Sequence, residues 1–142
     1  MKKTSVFLTW TLLTVANMFD ARDYKIPNEL IILGYAAGLC LNIQSFQLIG
    51  IYLFIIKALG PVLILYLLYQ IKGLGAGDIK MFSVMSTLVG VELTTEVMIM
   101  SVMLAGIAIL LLILYEKRIE LKRRLHYSFF MTAAFFLLQI NN

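Results

Sequence analysis

Long apolar runs separated by short polar stretches are the feature of this sequence that most limits its fold. Hydrophobic residues make up 61% of the 142 residues and charged residues 14%, and the mean hydropathy is +0.92. Soluble domains are about half apolar and about a quarter charged. Repeated runs that approach the roughly 20 residues needed to cross a bilayer are typical of membrane helices. The sequence therefore predicts a single integral-membrane domain, residues 1–142, that folds as an all-α bundle of about six transmembrane helices.

The polar breaks divide the chain into six apolar segments. We place them at about residues 4–19, 29–41, 46–71, 79–91, 97–115 and 127–140. The third segment is too short for two spans, so we expect one helix that is kinked or tilted at Pro61. We expect Asn28 to cap the second helix, directly after Pro27. Glu92 and Glu96 are expected in a polar turn between the fourth and fifth helices.

Basic residues are distributed unequally between the two sides that these segments define. Nine would lie on one side, namely Arg22, Lys25, Lys72, Lys80, Lys117, Arg118, Lys122, Arg123 and Arg124. The other side has only Lys2 and Lys3. The positive-inside rule then puts the nine in the cytoplasm and both termini outside, although the two N-terminal lysines oppose this orientation. We expect the basic stretch 116–125 to lie on anionic lipid headgroups and to bind no nucleic acid.

The sequence offers few ligands for a metal or a cofactor. Cys40 is the single cysteine, so the chain has no internal disulfide and no Cys-x-x-Cys zinc motif. His126 is the single histidine. We therefore predict no metal site and no cofactor.

Two aspartates stand at the ends of apolar segments on the predicted cytoplasmic side. Asp20 follows the first segment and Asp78 opens the fourth. If these helices are neighbours, the two carboxyl groups share a proton, and one acts as general base and the other as general acid. Gly75 and Gly77 allow a tight turn, and the helix dipole favours the charged form of Asp78. The same residues also suit a plain turn with a helix cap, and on their spacing alone both interpretations stand.

The chain resembles the type IV prepilin peptidase family in two motifs. They are Asp20-x-Arg22-x-x-x-Ile26-Pro27-Asn28 and Gly75-Ala76-Gly77-Asp78-Ile79-Lys80. In that family an aspartate seven residues before a Pro-Asn or Pro-Asp pair closes one helix. A Gly-x-Gly-Asp-x-Lys stretch opens another helix, two transmembrane helices later. The resemblance extends over about residues 17–90.

The resemblance implies a function and roles for the motif residues. It implies that Asp20 and Asp78 are the catalytic pair of a peptidase in the plasma (inner) membrane. Such a peptidase cleaves the basic leader of prepilins or pseudopilins, the subunits of type IV pili and related assemblies, at the cytoplasmic face. Lys80 would tune Asp78 or anchor its helix at the headgroups. Because a prepilin leader is basic, we expect Asp23 and Glu29 to attract it together with Asp20.

One departure from the family pattern restricts the predicted activity. Many members carry an N-terminal extension with a tetra-cysteine zinc motif and also N-methylate the new terminus, whereas here the first aspartate is already residue 20. The chain is similar to the minimal peptidases of tight-adherence (Flp) pili and archaeal preflagellins, so we predict cleavage without methylation.

Two other functions stay open. A presenilin-like or signal-peptide-peptidase-like protease also uses Gly-x-Gly-Asp, but the sequence lacks the Pro-Ala-Leu stretch of that group. A non-catalytic channel, carrier or assembly scaffold would tolerate replacement of either aspartate.

Overall fold

Six α-helices form the computed structural model, which describes residues 3–23, 26–70, 75–116 and 127–140. They are α1 (Lys3–Asp23), α2 (Asn28–Phe46), α3 (Ile49–Gln70), α4 (Ala76–Val89), α5 (Val91–Glu116) and α6 (Tyr127–Ile140). The described residues contain no strand, so the predicted all-α helix bundle is confirmed. By length and composition α2, α3 and α5 are apolar enough to cross a membrane, and α6 is a shorter apolar helix.

α1, α2 and α5 are longer than the apolar segments that predict them. α1 continues to Asp23, so Asp20 lies inside its last turns and not in the loop that follows. α5 begins at Val91, so Glu92 and Glu96 are helical and the polar turn predicted for them is wrong. The single residue Gly90, with φ of +99°, separates α4 from α5. Glycine takes this conformation without strain, so no longer turn is needed.

α3 is one continuous helix through Pro61, as predicted. Its Lys57 ammonium donates a 2.7 Å hydrogen bond to the side-chain oxygen of Asn42 on α2. The Asn42 amide in turn donates to the carbonyl oxygens of Gly38, at 2.7 Å, and Thr87, at 2.8 Å. The lysine thus lies against neighbouring helices of the bundle.

α4 is the central helix of the bundle. Every residue from Met81 to Leu88 is buried, which is the pattern of a helix surrounded by protein on all sides. α1, α2, α3 and α5 all pack against it. The N-terminus of this central helix holds Asp78.

Small residues bring α2 very close to α4. A Cβ at Gly34 would collide with Val84 and Leu12, and one at Gly38 would collide with Thr87. The two glycines are four residues apart, the small-x-x-x-small spacing that lets helix backbones approach closely in membranes. This spacing fixes the start of α2 beside the start of α4.

Polar contacts join α1 to α6 along an apolar interface. Trp10 donates a 2.6 Å hydrogen bond from its indole N–H to Gln139. Asn17 donates a 2.7 Å hydrogen bond to the Thr132 hydroxyl. Residue numbers rise along α1 as they fall along α6, so the two helices are antiparallel. The end of α1 therefore lies beside the start of α6.

Candidate active site

Asp20 lies on the side of α1 that faces α6. Its Oδ2 atom accepts a 2.6 Å hydrogen bond from the Ser128 hydroxyl. Ser128 belongs to the first turn of α6 and is only 1% exposed. A short hydroxyl-to-carboxylate bond of this length is typical of a charge-assisted contact.

Asp78 lies in the first turn of α4, which begins after Gly75 in an extended conformation. The Gly75 N–H donates to Asp78 Oδ2 at 3.3 Å. A Cβ at position 75 would lie 2.9 Å from the same oxygen, so glycine leaves room for the carboxylate. A Cβ on Gly77 would touch the Ile26 side chain at an ordinary 3.6 Å, so space inside the protein does not require glycine there.

The two carboxyl groups interact electrostatically. Burial, followed by the negative charge of Asp20, raises the pKa of Asp78 to about 6, while the hydrogen bond from the Gly75 N–H acts in the opposite direction. The helix N-terminus was expected to favour the charged form of Asp78 and so to lower its pKa. The pKa is raised instead, because the desolvation of the buried carboxylate outweighs the effect of the helix. The site therefore brings Asp20 and Asp78 together and makes Asp78 easier to protonate.

Lys80 extends away from the carboxyl pair. Its ammonium donates a 3.0 Å hydrogen bond to the side-chain oxygen of Asn28 at the start of α2. Asn28 is the first helical residue and Pro27 stands at the cap position, with no side-chain cap hydrogen bond. The capping role predicted for Asn28 is therefore wrong, since its side chain joins α2 to α4 through Lys80.

The remaining predicted site residues are described only in part. Glu29 lies exposed in the first turn of α2. Asp23 is the last residue of α1, and its side chain lies outside the described part of the structure, as do residues 117–125 of the basic stretch and His126. Attraction of a basic leader by these acids stays a prediction.

Two residues at the start of α6 were missed by the sequence analysis. Besides Ser128, the Tyr127 hydroxyl shares a 2.8 Å hydrogen bond with Ser101 on α5 and lies within electrostatic range of Asp78. The available signal was the pair Ser128 and Thr132, four residues apart on an otherwise apolar helix. This spacing places both hydroxyls on one face, which indicates a polar partner.

Within the described ranges, no group of three or more His, Cys, Asp or Glu side chains is arranged to hold a metal ion. The reactive groups described at this end of the bundle are the carboxyl groups of Asp20 and Asp78, the buried hydroxyl of Ser128 and the phenol of Tyr127.

Comparison with known proteins gives one match. The model of the type IV leader peptidase family matches residues 6–115, a range that includes both aspartates and ends before α6. No curated protein and no solved structure matches the chain.

Proposed function

The chain belongs to the type IV leader peptidase family, and we propose that it is an aspartic endopeptidase that removes the basic leader of prepilin-like proteins. The observation that carries this proposal is the coupling of Asp78 to Asp20. Two interacting carboxyl groups, one of which has a raised pKa, are an arrangement suited to general acid and base catalysis.

In the proposed reaction the pair starts with one proton. The ionised carboxylate takes a proton from water, and the water oxygen forms a bond to the scissile carbonyl carbon. The protonated carboxyl gives its proton to the leaving nitrogen as the C–N bond breaks. The products are a carboxylic acid and an amine. The proton that the base has gained then passes to the other carboxyl, which restores the starting state.

The position of the pair supports a substrate that is itself anchored in the membrane. Asp20 is near the end of α1 and Asp78 at the start of α4, so both belong to one end of a bundle of apolar helices. A prepilin presents its cleavage site beside an apolar helix, where such an end can reach it. We propose that this end faces the cytoplasm of the plasma membrane and that the product terminus is not methylated.

The test is co-expression of the chain with a panel of type IV prepilins, followed by measurement of the leader-cleaved fraction. Wild type should cleave at least one prepilin. Asp20→Asn and Asp78→Asn should each lower cleavage by at least about a thousandfold, because neither side chain can then transfer the proton. Glu92→Gln is the matched control, since it removes an exposed carboxylate from the first turn of α5.

Membrane insertion and melting temperature in detergent check that each variant is folded. Full cleavage by either Asp→Asn variant contradicts the proposal, and a non-catalytic scaffold would tolerate both changes.

A further inference from the structure

Ser128, which contacts Asp20, lies outside the range that the family model matches. Ser128 belongs to α6, whereas the match ends at residue 115. Its hydroxyl donates to Asp20 Oδ2 at 2.6 Å from a position that is 1% exposed. Water therefore has little access to this hydroxyl, and the bond is protected from competition.

Such a bond favours one protonation state of Asp20. An ionised carboxylate only accepts hydrogen bonds, and a buried donor directed at it stabilises the charge. Ser128 lies in the first turn of α6, and its backbone carbonyl oxygen accepts a 2.8 Å hydrogen bond from the Thr132 hydroxyl. The next polar contact along the same interface is the 2.7 Å hydrogen bond from Asn17 to Thr132.

The two carboxyl groups are supported unequally. Asp20 receives a short bond from a hydroxyl, and Asp78 receives a longer 3.3 Å bond from the Gly75 backbone. When two carboxyl groups share one proton, the negative charge stays on the group that accepts the stronger hydrogen bond, which here is Asp20.

We propose that Ser128 is a positioning residue that holds Asp20 ionised, so that Asp20 takes the proton from water and Asp78 protonates the leaving amine. This assignment rests on the proposed function. The stabilisation of ionised Asp20 by Ser128 does not depend on the proposed function, and it can be measured without substrate.

The first experiment is an infrared pH titration of the purified protein in detergent. The band of protonated Asp20 is identified by its loss in Asp20→Asn. Asp20 should protonate at a pH roughly one unit higher in Ser128→Ala than in wild type. Ser128→Thr, which keeps the hydroxyl, should restore the wild-type value. Ser128→Cys keeps the volume with a weaker donor and should shift the titration in the same direction as alanine.

Thr132→Val is the matched control for a purely structural role. It removes the other hydroxyl of this face and its contact with Asn17, at nearly constant volume, without touching Asp20. It should leave the titration of Asp20 unchanged. On the elements that pack against α1, the charged or titratable side chains described at this end of the bundle are Glu29 on α2, Asp78 and Lys80 on α4, and Tyr127 on α6. They are unchanged in every variant compared.

The second experiment is the pH profile of prepilin cleavage. The acidic limb of kcat should move up by the same unit in Ser128→Ala. On that limb kcat should fall roughly tenfold at a given pH, with little change in KM and little change in kcat above the limb. An unchanged Asp20 titration in both Ser128→Ala and Ser128→Cys overturns the inference, and so does an equal shift in Thr132→Val. Failure of wild type to cleave any prepilin would count against the proposed function alone, since the titration still decides the role of Ser128.

Discussion

Asp78 is largely buried and lies near the negative charge of Asp20, and both effects raise its pKa. Its pKa is about 6 against a usual value of 3.8. Below this value the pair holds a proton to donate, and above it both carboxyl groups tend to be ionised. We therefore expect kcat/KM for leader cleavage to begin to fall above about pH 6 as Asp78 loses its proton. A profile measured from pH 4 to 9 that stays flat from 6 to 9 would contradict this expectation.

The same shift predicts a pH dependence of stability. Because the pKa of Asp78 is raised in the folded state, the unfolded chain binds fewer protons there, and stability falls as pH rises from about 4 to about 6. The loss is at most about 3 kcal/mol. Asp78→Asn lacks this loss, so its melting temperature relative to wild type should increase across that interval and then level off. A difference in melting temperature between Asp78→Asn and wild type that does not change with pH would contradict the prediction.

Gly75 determines the room available to the Asp78 carboxylate. In Gly75→Ala the added methyl group would lie 2.9 Å from Asp78 Oδ2, so the carboxylate must rotate. Displacement of a reacting group by about 1 Å costs on the order of a hundredfold in rate. We expect kcat to fall by roughly that factor with little change in melting temperature. Gly77→Ala is the comparison, because its methyl group has only ordinary contacts inside the protein, and a larger loss of kcat there would contradict this account.

At the scale of elements, the approach of α2 to α4 depends on two glycines. Gly38→Ala forces its methyl group against Thr87, and overpacking of this kind costs about 1–3 kcal/mol. We expect that loss in the free energy of unfolding measured in detergent. Gly106→Ala on α5 is the matched control, because nothing lies within 4 Å of its added methyl group. Equal effects of the two substitutions would contradict close packing of α2 on α4.

The sequence predicts the helices better than their ends. Apolar runs identify all six helices, but Glu92 looked like part of a turn because charged residues usually leave apolar segments. In the structure it lies on an exposed helix face. A single glycine, Gly90, makes the break that four polar residues seemed to require. Helix ends depend on such local conformations, which hydropathy does not report.

The site was predictable only where a motif marks it. Asp20 and Asp78 are recognised by their order and their neighbours, and the structure brings them together. Ser128 was missed because a serine in an apolar helix is common, and nothing in one sequence says which helix it faces. That information comes from the antiparallel packing of α1 on α6, which is a property of the fold.

At the scale of the whole molecule, polar groups gather at two opposite ends of the bundle. The carboxyl pair occupies one end. The other holds a cavity of about 380 Å³ lined by residues that include Lys57, Asn42 and Thr87. Asn42 lies about 21 Å along α2 from its first residue, Asn28. A hydrocarbon core is thicker, about 30 Å, so the two polar groups lie closer together than the two surfaces of the core.

This polarity makes the orientation of the bundle testable. The excess of basic residues on the carboxyl side predicts that this side is cytoplasmic. Alkaline phosphatase, which is active only outside, should be active when fused after Asn142 or after Val91. It should be inactive when fused after Lys25 or after Lys117. Green fluorescent protein fused at the same four positions should give the reverse pattern. Activity after Lys25 and Lys117 instead would place the carboxyl pair outside, where it could not meet a leader that stays in the cytoplasm.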